Sequence, residues 1–255
     1  NYINTINKPI IIGFSGLPGS GKSTLGFWID SVARELSLDI KVISLDDFYL
    51  PAQEMDFAMK GNPWNVPRGF PGSHSLDLLH QSLDVFLKTG ILRSPTFDKS
   101  LRDGKGDRSG WCELKSKILI LEGWFVGCEP VSDLNNIDSL SEDKFNLSLS
   151  QDEKDYRSLI QESLIKYSKI WKKFDKIWHL KSSHFNNTIL WKTQQEEEMI
   201  KIRGSGLKGN NLTDFIRMIQ SSIPQQSLSF INADTTVQIN QHRRIDKLLT
   251  TNYHF

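Results

Sequence analysis

Cysteine is scarce in this chain, and its scarcity excludes two classes of protein. Cys112 and Cys128 are the only two, too few for a disulfide framework and without the paired spacing of a metal site. They read as reduced thiols of an intracellular protein. Net charge is equally scarce. Lys and Arg number 31 against 30 Asp and Glu, so no overall field recruits nucleic acid or an acidic membrane, and neither is expected as a partner. No apolar run approaches the roughly 18 residues of a membrane span. Internal repeats and low-complexity tracts are also missing. The 255 residues suffice for one sizeable α/β domain, expected to cover 1–255.

What is present concentrates near the start. Residues 9–24 read PIIIGFSGLPGSGKST. Ile10, Ile11 and Ile12 form an apolar run suited to a strand buried on both faces of a parallel sheet. Gly16, Leu17, Pro18, Gly19, Ser20, Gly21, Lys22 and Ser23 then match every fixed position of G-x-x-x-x-G-K-[ST]. The glycines let the backbone turn its N–H groups toward phosphate oxygens, and the following helix adds its positive end. Lys22 is placed for the β- and γ-phosphates and the Ser23 hydroxyl for Mg²⁺. Thr24 completes the set. After the loop, Leu25, Trp28, Ile29, Val32 and Leu36 recur at helical spacing, which supplies the context that the motif requires. The pattern predicts a nucleotide site with Mg²⁺.

Strands alternate with helices along the rest of the chain. Strands are expected at 39–45, 117–121, 177–180 and 235–239, and helices at 76–88, 152–174, 187–201 and 211–221. A short helix fits 50–60. Proline and glycine make 61–72 a loop, and Ser73 or Ser75 can cap the helix after it. Residues 93–97 are extended, followed by a polar glycine-rich loop ending at Gly106, Asp107 and Arg108. Residues 131–151 read as a surface excursion, and 241–244 as a basic tail. The aromatic residues of 152–174 repeat with helical period and read as packing. The order predicts a P-loop α/β fold: a doubly wound, mostly parallel, five-stranded sheet with helices on both faces.

Open parallel sheets bind ligands beyond the C-terminal ends of their strands. Asp46, Asp47 and Glu122 close strands there, beside the phosphate loop. Glu122 is placed like an acid that holds Mg²⁺ or its waters, which leaves Asp46 as the base taking a proton from an acceptor hydroxyl. Asp47 can equally cap the turn that follows its strand.

The same residues carry a family resemblance. Asp46, Asp47, Phe48 and Tyr49 resemble the D-[SD]-F-Y signature of the uridine kinase, phosphoribulokinase and pantothenate kinase group. The strings SLDDFYL (44–50), RGFPGSH (68–74), FDKS (97–100), GDR (106–108) and LEGWFVG (121–127) resemble, in that order, the D-glycerate 3-kinase family. The resemblance implies an ATP- and Mg²⁺-dependent kinase making 3-phosphoglycerate from D-glycerate, with Asp46 as base and Glu122 at the metal. It implies a cytoplasmic protein, or a plastid one if a transit segment has been removed. Trp191, Lys192, Gln194 and Glu196 resemble the family's lid string W-R-x-Q-x-E, within a lid-like helical segment at about 185–210. Lysine stands where arginine is usual, so the lid cation is left open among Lys192, Lys201 and Arg203.

A glycerate acceptor is a small anion and needs cations and hydrogen-bond donors. Arg68, His74, Lys99 and Arg108 supply them from the loops between the acidic strands, with Tyr49 beside the base. Arg68 is the first choice for the carboxylate, because a guanidinium can grip it with two donors; Lys99 and Arg108 stand next. His74 could instead cap a turn. Fold analogy places adenine near 240–243. Two alternatives remain: a P-loop kinase of a nucleoside, pantothenate or sugar phosphate, and a non-catalytic ATP-binding regulator.

Overall fold

The computed structural model describes residues 7–131, 133–134, 147–204 and 206–250. Six strands form the main sheet: β1 Ile10–Gly16, β2 Ile40–Ser44, β5 Ile118–Gly123, β6 Lys176–Ser182, β7 Thr235–Ile239 and β8 Ile245–Thr250, in the order β2-β5-β1-β6-β7-β8. All pairs are parallel except β7 with β8. The fold is therefore the expected P-loop α/β sheet, with a correction from five strands to six. The stretch read as a basic tail turns at 240–244 and returns as β8, an antiparallel edge strand with every residue exposed. Such a strand carries no buried alternation for a sequence reading to detect.

A second difference is a separate two-stranded hairpin. β3, Ile91–Asp98, pairs antiparallel with β4, Asp107–Lys115. Only the extended piece at 93–97 was legible. β4 begins inside the stretch read as a glycine-rich loop and is largely polar and exposed.

The helices are α1 Lys22–Glu35, α2 Ala52–Ala58, α3 Leu76–Thr89, α4 Gln151–Trp171, α5 Asn187–Arg203, α6 Gly209–Ser221 and α7 Gln225–Ser229. They lie on both faces because side chains alternate along each strand. Ile11, Leu119 and Leu121 join one core with residues of α3, α4 and α6. Ile12, Phe14, Ile118 and Ile120 join the other with Trp191 of α5 and Ile29 of α1. The period-3.6 reading of α4 matches its buried Ile160, Leu164, Tyr167, Ile170 and Trp171. Most of the excursion expected at 131–151 lies outside the described residues.

The reading of α1 needs correction. Leu25, Trp28, Val32 and Leu36 are exposed, and the helix presents Gly26 and Ala33 to the interior instead. Close approach explains this: a Cβ on Gly26 would stand 3.0 Å from Val42 Cγ1. A larger side chain there would hold the helix off the sheet and move the phosphate loop with it.

Candidate active site

The loop between β1 and α1 has the conformation that its glycines permit. Gly21, the residue before α1, has φ 99°, where an L side chain is strained. Gly19 has φ 75°, and a Cβ on it would come within 2.7 Å of the Trp191 main chain. The neighbouring chain holds the loop by its carbonyls. Thr188 Oγ1 donates to Pro18 O at 2.9 Å and Arg243 Nε to Gly19 O at 2.8 Å. Arg243, which also lies over the Trp191 ring, sits in the turn expected near adenine; in the structure it braces the phosphate loop. Neither brace was legible in the sequence, since 224 residues separate Arg243 from Gly19.

Lys22 is buried and donates from Nζ to Leu17 O at 3.1 Å. Burial lowers its pKa, against the opposing charges of Glu122 and Asp46, while Lys99 and Lys192 reinforce the lowering. One electrostatic cluster thus gathers the phosphate loop, two strand tips, the β3 end and α5. Ser23 Oγ donates to Glu122 Oε1 at 3.0 Å. A hydroxyl and a carboxylate side by side are the hard oxygen donors that Mg²⁺ takes, with water and phosphate completing its shell. The buried Ser20 Oγ has no partner in the loop. Both features fit a metal–nucleotide. No group of three or more His, Cys, Asp or Glu side chains forms a metal cluster among the described residues.

β2 and β5 are neighbours in register, with Ser44 beside Glu122, so their acids emerge at one sheet edge. A 3-10 turn, Leu45–Phe48, follows β2. Ser44 and Asp47 form a reciprocal cap there, so the capping alternative describes what Asp47 does. Burial and the Asp46 and Glu122 charges raise Asp47 to about 6, although its bond to Ser44 N–H opposes them. Asp46 accepts from Lys99 Nζ at 2.5 Å. Burial disfavours its charge, yet Lys99, with smaller help from His74 and Tyr49, holds the carboxyl well below the usual range.

The remaining acceptor-side residues divide. Phe48 O accepts from Ser75 N–H, and Leu50 N–H donates to Ser73 O, so a short ladder sets His74 against Tyr49, with rings stacked at 4.5 Å. Ser75 precedes α3 without capping it; its Oγ accepts from Arg108 Nη2 at 2.8 Å. Arg108 Nε donates to Tyr49 O at 3.1 Å, so Arg108 braces the turn. Arg68 Nη1 donates to Gly104 O at 2.8 Å and to Lys105 O, with the guanidinium over the Phe97 ring. It ties the hairpin tip to the site. Lys99 is the cation that meets the candidate base.

On α5, Lys192 is buried, 2.5 Å from Glu196, with Nζ over the Phe215 ring. Lys201 is exposed near the helix end. The Arg203 side chain falls outside the described residues.

The fold and the phosphate loop define a P-loop nucleotide-binding protein, and its relatives are kinases. No family model matches the chain, but individual relatives do. A D-glycerate 3-kinase from Cryptococcus neoformans var. grubii superposes with a TM-score of 0.82 at 25% identity, covering 96% of this chain and 90% of that one. The uncharacterized kinase mug58 of Schizosaccharomyces pombe is 29% identical over 252 residues, 92% of this chain and 86% of that protein. The chloroplastic D-glycerate 3-kinase of Arabidopsis thaliana is 30% identical over 221 residues, 82% of this chain but 45% of its own length. Homologues and structural neighbours thus include D-glycerate 3-kinase and related P-loop kinases, which supports the family read from the sequence strings and implies ATP as donor and a small-molecule acceptor. No helix among the described residues is long and apolar enough to cross a membrane.

Proposed function

We propose that this kinase transfers the γ-phosphoryl group of ATP to the primary hydroxyl of D-glycerate, giving 3-phosphoglycerate and ADP. One observation carries the reading: Asp46, paired with Lys99 at 2.5 Å, belongs to the same charge cluster as the phosphate-loop lysine. A carboxylate beside an ammonium suits an acceptor that brings a hydroxyl and an anion within a few bonds. The C3 oxygen of glycerate attacks phosphorus, the bond to the β,γ-bridging oxygen breaks, and the hydroxyl proton passes to Asp46. Lys22 and Lys192 stabilise charge on the transferring group. Ser23 and Glu122 would hold Mg²⁺, which neutralises phosphate charge when bound. Lys99 takes the carboxylate, with Arg68 shaping the hairpin beside it.

The test is ATP consumption against a panel of hydroxy acids, nucleosides, pantothenate and sugar phosphates. Preference for D-glycerate supports the reading. Preference for another acceptor overturns its substrate, and ATP binding without turnover on any acceptor overturns the kinase step.

Lys99→Met gives a prediction with a definite sign. Lys99 holds the Asp46 carboxyl below its ordinary range against the effect of burial. Without the ammonium, burial prevails and the carboxyl protonates at higher pH. Because the reaction needs anionic Asp46, the acid limb of the kcat/KM profile moves upward in pH, and the KM for glycerate rises. An unmoved acid limb would show that Lys99 does not control the base.

A further inference from the structure

His74 is buried, and its Nε2 has no hydrogen-bond partner among the described residues. Its other nitrogen lies 2.7 Å from Tyr167 Oη. A hydroxyl has one proton to give, so the protons around this pair can be counted. Tyr167 Oη accepts from Gly72 N–H at 3.2 Å, and among the described residues its own proton has no acceptor besides His74 Nδ1. A buried hydroxyl proton without an acceptor is costly, so it is directed to His74 Nδ1. Burial pushes the Tyr167 pKa up, so that proton stays in place. Ser73 Oγ, 3.5 Å from Nδ1, gives its proton to Phe70 O at 2.6 Å and so offers none to the ring, whereas Tyr167 Oη is far nearer. Burial lowers the His74 pKa to about 4, despite the Asp46 charge. A neutral ring that accepts at Nδ1 carries its own proton on Nε2.

We propose that Tyr167 holds His74 as the Nε2–H tautomer, so that the ring donates a hydrogen bond to an oxygen of the bound acceptor. This deepens the glycerate reading and rests on it for the identity of that oxygen. The ring stands where such a contact is useful. It is stacked on Tyr49, three residues after Asp46, and packed edge-on by Phe125, and the charges of Asp46 and Lys99 both act on it. Stacking and the Tyr167 bond leave the ring little freedom to turn. A fixed, unpaired N–H selects for a lone pair: an acceptor offering an oxygen satisfies it, and one offering a methylene leaves it buried and unpaired. In glycerate the oxygen is the 2-hydroxyl or a carboxylate oxygen. Tyr167 is a positioning residue, acting through His74.

Two measurements test this. The first is the long-range ¹H–¹⁵N spectrum of the histidine side chains at neutral pH without substrate, with the His74 signal identified by its loss in His74→Gln among the six histidines. The Nε2–H pattern is expected in the wild type and a shift toward Nδ1–H in Tyr167→Phe. An Nδ1–H pattern in the wild type overturns the proposal. The second is kinetic. Tyr167→Phe and His74→Asn should each raise the KM for glycerate about 10-fold, the loss of one well-placed hydrogen bond, with the KM for ATP little changed. His74→Gln, whose amide nitrogen reaches the Nε2 position, should recover part of the loss. Equal damage in Gln and Asn variants, or a glycerate KM unmoved by Tyr167→Phe, overturns the donor role. The two levels fail separately. A wild type that ignores glycerate but shows the Nε2–H pattern refutes the substrate, and the KM comparison is then made with whichever panel acceptor is turned over.

Discussion

Lys22→Ala should remove nearly all turnover at saturating ATP, a loss of about 10³-fold. Mutagenesis of single groups aimed at developing charge costs about 10²–10³-fold. Lys22 should lie at the upper end, because it is buried at the convergence of Glu122, Asp46, Lys99 and Lys192. Lys99 and Lys192 are engaged with Asp46 and Glu196, so neither carries the phosphate-loop position that Lys22 holds. The fold should survive. Burial already lowers the pKa of this lysine, so its charge is held at a cost to stability, and the melting temperature of the variant should stay close to wild type. Turnover and melting temperature measured together check both points. Wild-type kcat in the alanine variant would remove the phosphate-loop assignment; lost activity with a collapsed melting temperature would show that Lys22 acts through the loop's structure, by its bond to Leu17 O.

Asp46→Asn should lower kcat by about 10²-fold or more while sparing ATP affinity, as expected for the loss of a positioned base. Asparagine keeps the shape and the main-chain bond from Asp46 N–H to Ser44 Oγ at 3.3 Å, so the turn should stay in place. It loses the charge that pairs with Lys99. Glu122→Gln provides the contrast: Glu122 accepts from Ser23, so its loss should raise the Mg²⁺ concentration needed for half-maximal rate. Titrating Mg²⁺ against both variants separates the roles. The same Mg²⁺ dependence in both would contradict the division into a base and a metal-side carboxylate.

The sequence by itself determined the parts of this protein whose causes are local. The phosphate loop is contiguous from Gly16 to Ser23, and its φ requirements are met by residues within it. Buried strands such as β1 and β5 announce themselves as apolar runs. Once those strands are parallel, Asp46 and Glu122 must leave the sheet at one edge, so the candidate acids were legible too. The edge strand β8 and the hairpin strand β4 were not, because exposed strands need no apolar alternation. The apolar face of α1 misled for a related reason, since close approach of Gly26 to Val42 placed the small residues inward.

Only the tertiary structure decided which cation meets which acid. Arg68, Lys99 and Arg108 are alike in sequence, as cations in polar loops. In space, Arg68 and Arg108 give donors to main-chain carbonyls, and Lys99 crosses 53 residues to reach Asp46. The Tyr167–His74 contact spans 93 residues, and with it the placement of one proton on the imidazole. The reason is that charge pairing and tautomer choice depend on distances of a few ångströms between segments that only the packed fold brings together.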